Sequence, residues 1–297
     1  MTMTVLAIAQ SALYELGQTP PPSLVGSTSP PAIQLRYILE AQSRQLRNQR
    51  TFPQQKKSYS FSVVAGQYKY PLPEDYYSPL LDTKWDDGLR LRMLGPLSDA
   101  SWTDRTKGLT ATTPEVGYRI FGPDSNPYST GGQFQIHPTP GVSGNTLSYE
   151  YISKNLFLPK NWTPLTPGFT TVSDYVNANG NIYRCTSTTT GTTGTTAPSH
   201  TSGSAVDGGV TWTYQSAPYE SIVNNTDLSL FDDDIMVAGV KWRYLKTKGL
   251  DYETEYAAYA KMIEQTRARM SGPFIGSFAG TGQRRRRYYV PSGGWSF

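Results

Sequence analysis

The hydrophobic period of this chain changes twice, and that bounds what it can fold into. At both ends apolar residues recur three and four apart, as on one face of a helix; between them they alternate, as in a half-buried strand. Residues 4–17 carry Val5, Ala9, Ala12 and Leu16 on one stripe, with Gly17 as a stop. Ser29-Pro30 supplies a cap and a proline at the first helical position of a second segment running to about residue 50. Its apolar stripe is Leu35, Ile38, Leu39 and Leu46, and Arg36, Glu40, Arg44 and Arg47 lie on the other face. A third helix opens at Asp232-Asp233-Asp234, where carboxylates suit the positive end of the helix dipole. It buries Ile235, Ala238, Trp242 and Leu245 and stops at Gly249. A fourth, residues 251–270, places Tyr252, Tyr256, Tyr259 and Ile263 together, with acids early and bases late. No one of these helices can bury its stripe alone. The economical solution is a four-helix bundle made from the two chain ends, with a core of Leu35, Leu39, Trp242, Leu245 and Tyr256.

The middle reads as strands. Residues 58–63 alternate strictly, Ala65-Gly66 turns, and residues 67–70 pair back. Alternation returns at 89–93, 117–121, 133–137 and 146–152, separated by Pro- and Gly-rich turns. With 21 tyrosines and 22 prolines available, this spacing predicts an antiparallel sandwich or barrel at half-buried aromatic positions. The fold class is therefore α+β. The boundaries follow: residues 1–55 for the first helical pair, 56–157 for the β domain, 158–220 for an inserted module with linkers, 221–272 for the second helical pair and 273–297 for a terminal arm.

The inserted module differs in composition from both flanks. Asp174-Tyr175-Val176 leads to an Asn-Gly turn, then Ile182-Tyr183-Arg184-Cys185-Thr186, a Thr/Gly/Ser-rich loop and Asp207-Gly208-Gly209-Val210-Thr211-Trp212-Thr213-Tyr214. Two short strands, each introduced by an Asn-Gly or Asp-Gly turn, make a small all-β unit. This pattern resembles the small β modules repeated in bacteriophage tail proteins. Trp212, Tyr214 and Tyr183 are its candidate glycan contacts; with so few apolar residues in the module, the same aromatics are favoured as its core.

Charge is concentrated at one place. The chain has 27 basic and 23 acidic residues, and Arg284, Arg285, Arg286 and Arg287 account for the excess of four. Tyr288, Tyr289, Trp295 and Phe297 follow, so the arm carries more large apolar groups than a tail that only needs to stay in water. Splayed arginines suit carboxylates or phosphates. A docking arm explains both features, and contact with DNA in a genome channel is the other use of the same charge.

Chemistry is poorly supplied. The two histidines, His137 at a strand end and His200 in the Thr/Ser loop, read as a strand-edge side chain and a solvated one. The single Cys185 allows no intrachain disulfide. One cysteine and two distant histidines do not make a zinc site of standard spacing. Successive residues on a helix point about 100° apart, so Asp232, Asp233 and Asp234 cap a helix and do not converge on a metal ion. No P-loop, dinucleotide fingerprint or G-x-S-x-G is present. No enzyme activity, cofactor or metal is expected. The first apolar run has no preceding basic residue, unlike a secretory signal, and no segment is long enough to cross a membrane.

Phe231-Asp232-Asp233-Asp234, Gly239-Val240-Lys241-Trp242-Arg243-Tyr244 and Lys248-Gly249-Leu250-Asp251-Tyr252, preceded by the strand pair at 133–140 and 147–154, resemble the head-to-tail adaptors of short-tailed phages, of the tail tubular protein A kind. The resemblance implies a virion protein of the tail and neck, assembled in the host cytoplasm. It implies a ring of twelve copies beneath the portal, with the β domains toward the tail nozzle protein or tail fibres and genomic DNA passing through the channel. It places the arm, from Arg284 to Phe297, at the portal, and carries over no catalytic residue. The competing reading is a tail receptor-binding protein acting on glycans through the module; no fibrous repeat accompanies it. A tail cell-wall hydrolase lacks a candidate acid/base pair. On the adaptor reading the module is an outward decoration, and its deletion leaves ring assembly intact.

Overall fold

In a computed structural model, the described residues are 3–49, 52–108, 115–122, 132–169 and 174–270. Helix α1 is Val5–Glu15, with the Thr4 hydroxyl accepting from the Ala7 N–H at 3.2 Å. Helix α2 is Pro30–Gln49. Near the other end, α4 is Asp233–Thr247 and α5 is Glu253–Met270. The Asp232 carboxylate caps α4, accepting from the Asp234 and Ile235 N–H groups at 3.1 and 3.4 Å. The periodicity and the capping residues locate all four helices to within about two residues.

The two chain ends share one core centred on α4, which packs against α1, α2 and α5. Leu35, Leu39, Ile235 and Val240 are fully buried there, and Phe52 meets Phe231 edge to face at 5.1 Å. Gly239 is where α2 comes closest: a Cβ there would lie 2.3 Å from the Gln42 side chain. Polar ties reinforce the seam. The Lys241 ammonium sits 2.9 Å from both Glu15 and Glu255, joining α1, α4 and α5. The Gln42 amide donates to the Tyr259 hydroxyl at 2.6 Å. The fully buried Asp227 carboxylate accepts from the Tyr219 hydroxyl and from the N–H groups of Val223 and Asn224, while its carbonyl accepts from the Val5 N–H at 2.8 Å. Burial holds its carboxyl above the usual aspartate range.

Between the helical ends lie antiparallel sheets, none closed into a barrel. Strands β1 Lys56–Ser62, β2 Lys69–Pro71, β3 Tyr76–Pro79, β4 Trp85–Asp86 and β5 Leu91–Arg92 come first. Then follow helix α3 Asp99–Lys107 and strands β6 Gly117–Phe121, β7 Gln133–His137 and β8 Thr146–Ser153. One sheet has the order β1-β8-β4-β5 with β3 also on β8; a second has the order β2-β7-β6. The expected return of residues 67–70 onto 58–63 does not occur, and neither do 133–137 and 147–153 pair. In both cases the two strands lie in different sheets. The reason is the aromatic core. Splitting the strands between layers sets Phe61 against Tyr70 at 4.5 Å and stacks Tyr118, Phe134 and Tyr149 with centroids 5.2 and 5.1 Å apart. Aromatic pairs of this geometry add to the area they bury. Helix α3 was not legible in the sequence because Trp102 is its only apolar side chain besides Ala100, so it carries no helical period.

Short strands β9 Phe157–Leu158 and β14 Leu228–Ser229 pair with each other beside the helical core. The module between them is a four-stranded sheet of β10 Tyr175–Ala178, β11 Asn181–Thr188, β12 Ser204–Asp207 and β13 Val210–Gln215, in the order β10-β11-β13-β12.

Candidate interaction sites

The arm residues Arg284, Arg285, Arg286, Arg287, Tyr288, Tyr289, Trp295 and Phe297 lie outside the described residues. The helical site is described almost completely. Leu35 and Leu39 are fully enclosed, Trp242 is buried, and Leu245 is half-buried. Tyr256 is 45 % exposed, and its ring stands 5.2 Å from Trp242; the tyrosine that enters the core is Tyr259. Tyr259 has the interior partner a buried hydroxyl needs, since the Gln42 amide donates to it at 2.6 Å. Arg243 lies over Trp242 at 4.8 Å and donates to Gln42 at 2.8 Å and to Gln45. The site is therefore a hydrogen-bonded seam that fixes α2, α4 and α5 in one arrangement.

In the module, Trp212 and Tyr183 are fully buried and Tyr214 is half-buried. The Trp212 ring meets Phe169 edge to face at 5.1 Å. The centre of the module is the Asp207 carboxylate, which the sequence offered only as part of a turn. It accepts from the Trp162 and Trp212 indole N–H groups at 2.7 and 3.1 Å and from the Gly194 N–H at 2.8 Å. Buried indoles need acceptors, and one carboxylate serves both. Two of the three proposed glycan contacts thus have no surface to offer. His200 is not a solvated side chain: its ring packs 4.9 Å from Tyr183, and its Nε2 is buried without a hydrogen-bond partner among the described residues. His137 ends β7, with Trp102 edge-on at 6.1 Å. Burial also pushes the Cys185 thiol up.

The base of the module belongs to the helical core. Ile182 of β11 is buried in the same cluster as α1, α2 and α4, and Tyr175 packs on Tyr219 at 5.6 Å. A deletion that takes Ile182 with it therefore removes part of that core, which a mere outward decoration would not do. Trp212→Ala should cost about 3–5 kcal/mol and Ile182→Ala about 2–5 kcal/mol, at different places. Hydrogen exchange should lose protection in β10–β13 alone for the first, and in α1, α2 and α4 as well for the second. Equal, module-confined losses would contradict the shared core.

Asp75 and Lys84 are buried charged groups of the β domain. Burial would raise the Asp75 carboxyl, but the Lys57 ammonium at 2.9 Å and donation from the Tyr151 and Ser153 hydroxyls at 2.6 and 2.7 Å outweigh it and hold the group below the usual range. Lys84, only 1 % exposed, donates to the Leu80 carbonyl and lies 5.7 Å over the Tyr118 ring; burial lowers it to about 8. Among the described residues no group of three or more His, Cys, Asp or Glu is placed to hold a metal ion, and no helix is long and apolar enough to cross a membrane.

A family model described as SU10 adaptor protein matches residues 3–178, from α1 through the β domain to the first strand of the module. The chain belongs to that family, which comprises phage head-to-tail adaptors. No curated protein matches the chain.

Proposed function

We propose that this member of the SU10 adaptor family forms a ring of twelve copies that joins the portal to the tail nozzle and lines the path of the DNA. The supporting observation is the closure of one core across the boundary of the family match. Helices α1 and α2 lie inside the matched region and α4 lies outside it, yet α4 packs against both and shares their buried cluster. The matched adaptor part and the C-terminal helices are thus a single body. The β domain and the module leave that body and return to it.

On this reading the four helices act as a bundle that forms the wall of the ring. The β domain faces the nozzle or tail fibres. The arm at 273–297 carries four arginines, six aromatics and no acid, and it reaches the portal. Aromatic and arginine anchors are the groups that dominate binding at protein interfaces. The role is structural, and the site of action is the virion neck. The glycan-binding alternative gains little from the module, because Trp212 and Tyr183, two of its three candidate contacts, are enclosed. Electron microscopy of the purified chain and of particle necks tests the proposal.

A further inference from the structure

The outer face of the β2-β7-β6 sheet is organised around one arginine. Register places Lys69, Gln135 and Arg119 in a row across the three strands, on the face opposite Tyr70, Phe134 and Tyr118. The row lines a groove of about 550 Å³ bounded by Trp102, Phe121 and His137, and no carboxylate lines it among the described residues. Arg119 is fixed before any ligand arrives. Its guanidinium lies 4.4 Å from the Trp102 ring and 4.6 Å from the Phe121 ring, and its Nε donates to the buried Gln135 Oε1 at 2.8 Å. Among the described residues the one carboxylate that reaches it, Asp99, does so at 3.5 Å from a side chain 92 % exposed, a geometry worth little in water. A planar guanidinium held between two rings is prepared for a carboxylate, and the apolar walls favour a peptide over a duplex backbone.

The complementary surface is on the same chain, at the start of α5. Leu250 is 55 % and Tyr256 45 % exposed, and between them Asp251 and Glu253 are exposed carboxylates in no ion pair among the described residues. We propose that the Arg119 groove of one copy receives residues 250–256 of a neighbouring copy. Tyr256 or Leu250 would fill the aromatic groove while Glu253 or Asp251 meets the guanidinium. Such a contact joins different patches on the two partners, which is the kind of interface that closes into rings. The inference rests on the ring reading and supplies its interface.

The test is sedimentation and electron microscopy of the full chain carrying Arg119→Glu, the exposed pair Asp251→Arg and Glu253→Arg, or all three changes together. Either reversal alone should weaken association between copies by about tenfold or more, and the triple variant should restore it. Asp251 also accepts from the Glu253 N–H at 3.1 Å at the start of α5, so Glu253→Arg alone, at an exposed side chain, keeps the test open should Arg119→Glu or the loss of that cap disturb the fold. Assembly unaffected by the exposed pair overturns the inference and leaves the adaptor role standing. So does disassembly that the triple variant fails to rescue, or duplex DNA binding lost with Arg119→Glu. A wild-type chain that never assembles overturns the ring itself.

Discussion

A chain ending at residue 272 is expected to lose the portal while keeping its fold. The arm contributes Arg284, Arg285, Arg286 and Arg287 and the rings of Tyr288, Tyr289, Trp295 and Phe297. Interface anchors of these types commonly cost 2 kcal/mol or more each when removed. Loss of two or three of them amounts to about 4–6 kcal/mol, or roughly three to four orders of magnitude in affinity. The truncated chain keeps every residue of the described helical core, and its melting, measured alongside, is expected to show that the body still folds. Capture of the truncated chain by purified portal at the wild-type level would remove the arm from the account. A chain with the four arginines changed to glutamine separates the charge from the rings: if it alone loses the portal, the contact is electrostatic, and raised salt should mimic it.

Lys84→Met should stabilise the protein near neutral pH. Lys84 is enclosed at the edge of the aromatic core, and its ammonium loses its proton at about pH 8 instead of 10.5. Between those values the unfolded chain binds the extra proton, so the contribution of Lys84 to stability rises with pH; below about 8 the folded chain carries the full cost of a buried charge. The difference corresponds to about 3 kcal/mol. Methionine has similar volume and no charge to bury, so the variant should gain on the order of 2–3 kcal/mol at pH 7. The gain should shrink between pH 8 and 10. Comparison of variant and wild type at each pH cancels the tyrosines, several of which are also held above their usual range by burial. A variant that is less stable at pH 7 would mean that the Leu80 carbonyl and Tyr118 ring more than offset the burial of the ammonium.

The parts of this fold that were legible in the sequence are those whose signals are local. The helices announce themselves through a 3.6-residue period and through Gly17, Ser29-Pro30 and Asp232, and their limits follow. The strands of the β domain were visible by alternation, but alternation says which face is buried and not which strand is the neighbour. The split of β1 from β2 and of β7 from β8 is decided by how Phe61, Tyr70, Phe134 and Tyr149 fill one layer. Tyr256 and Tyr259 share a helical stripe, and the second is the one that meets Gln42, more than 200 residues away, which no local pattern shows. The seat of the module was equally hidden, because Ile182 reads as an ordinary strand residue until the helical core is placed beneath it. The Arg119 groove has the same character. Lys69, Gln135 and Arg119 are scattered in sequence and meet only through register.

On the proposed function this chain assembles as a ring between portal and tail. Electron-microscope class averages of the purified full chain, with and without purified portal, test it most directly. Closed twelvefold rings with an open centre that stack on the portal are the expected result. Rings of another symmetry would correct the copy number alone. A chain that stays a single copy at high concentration, neither forming rings nor binding the portal, would contradict the account.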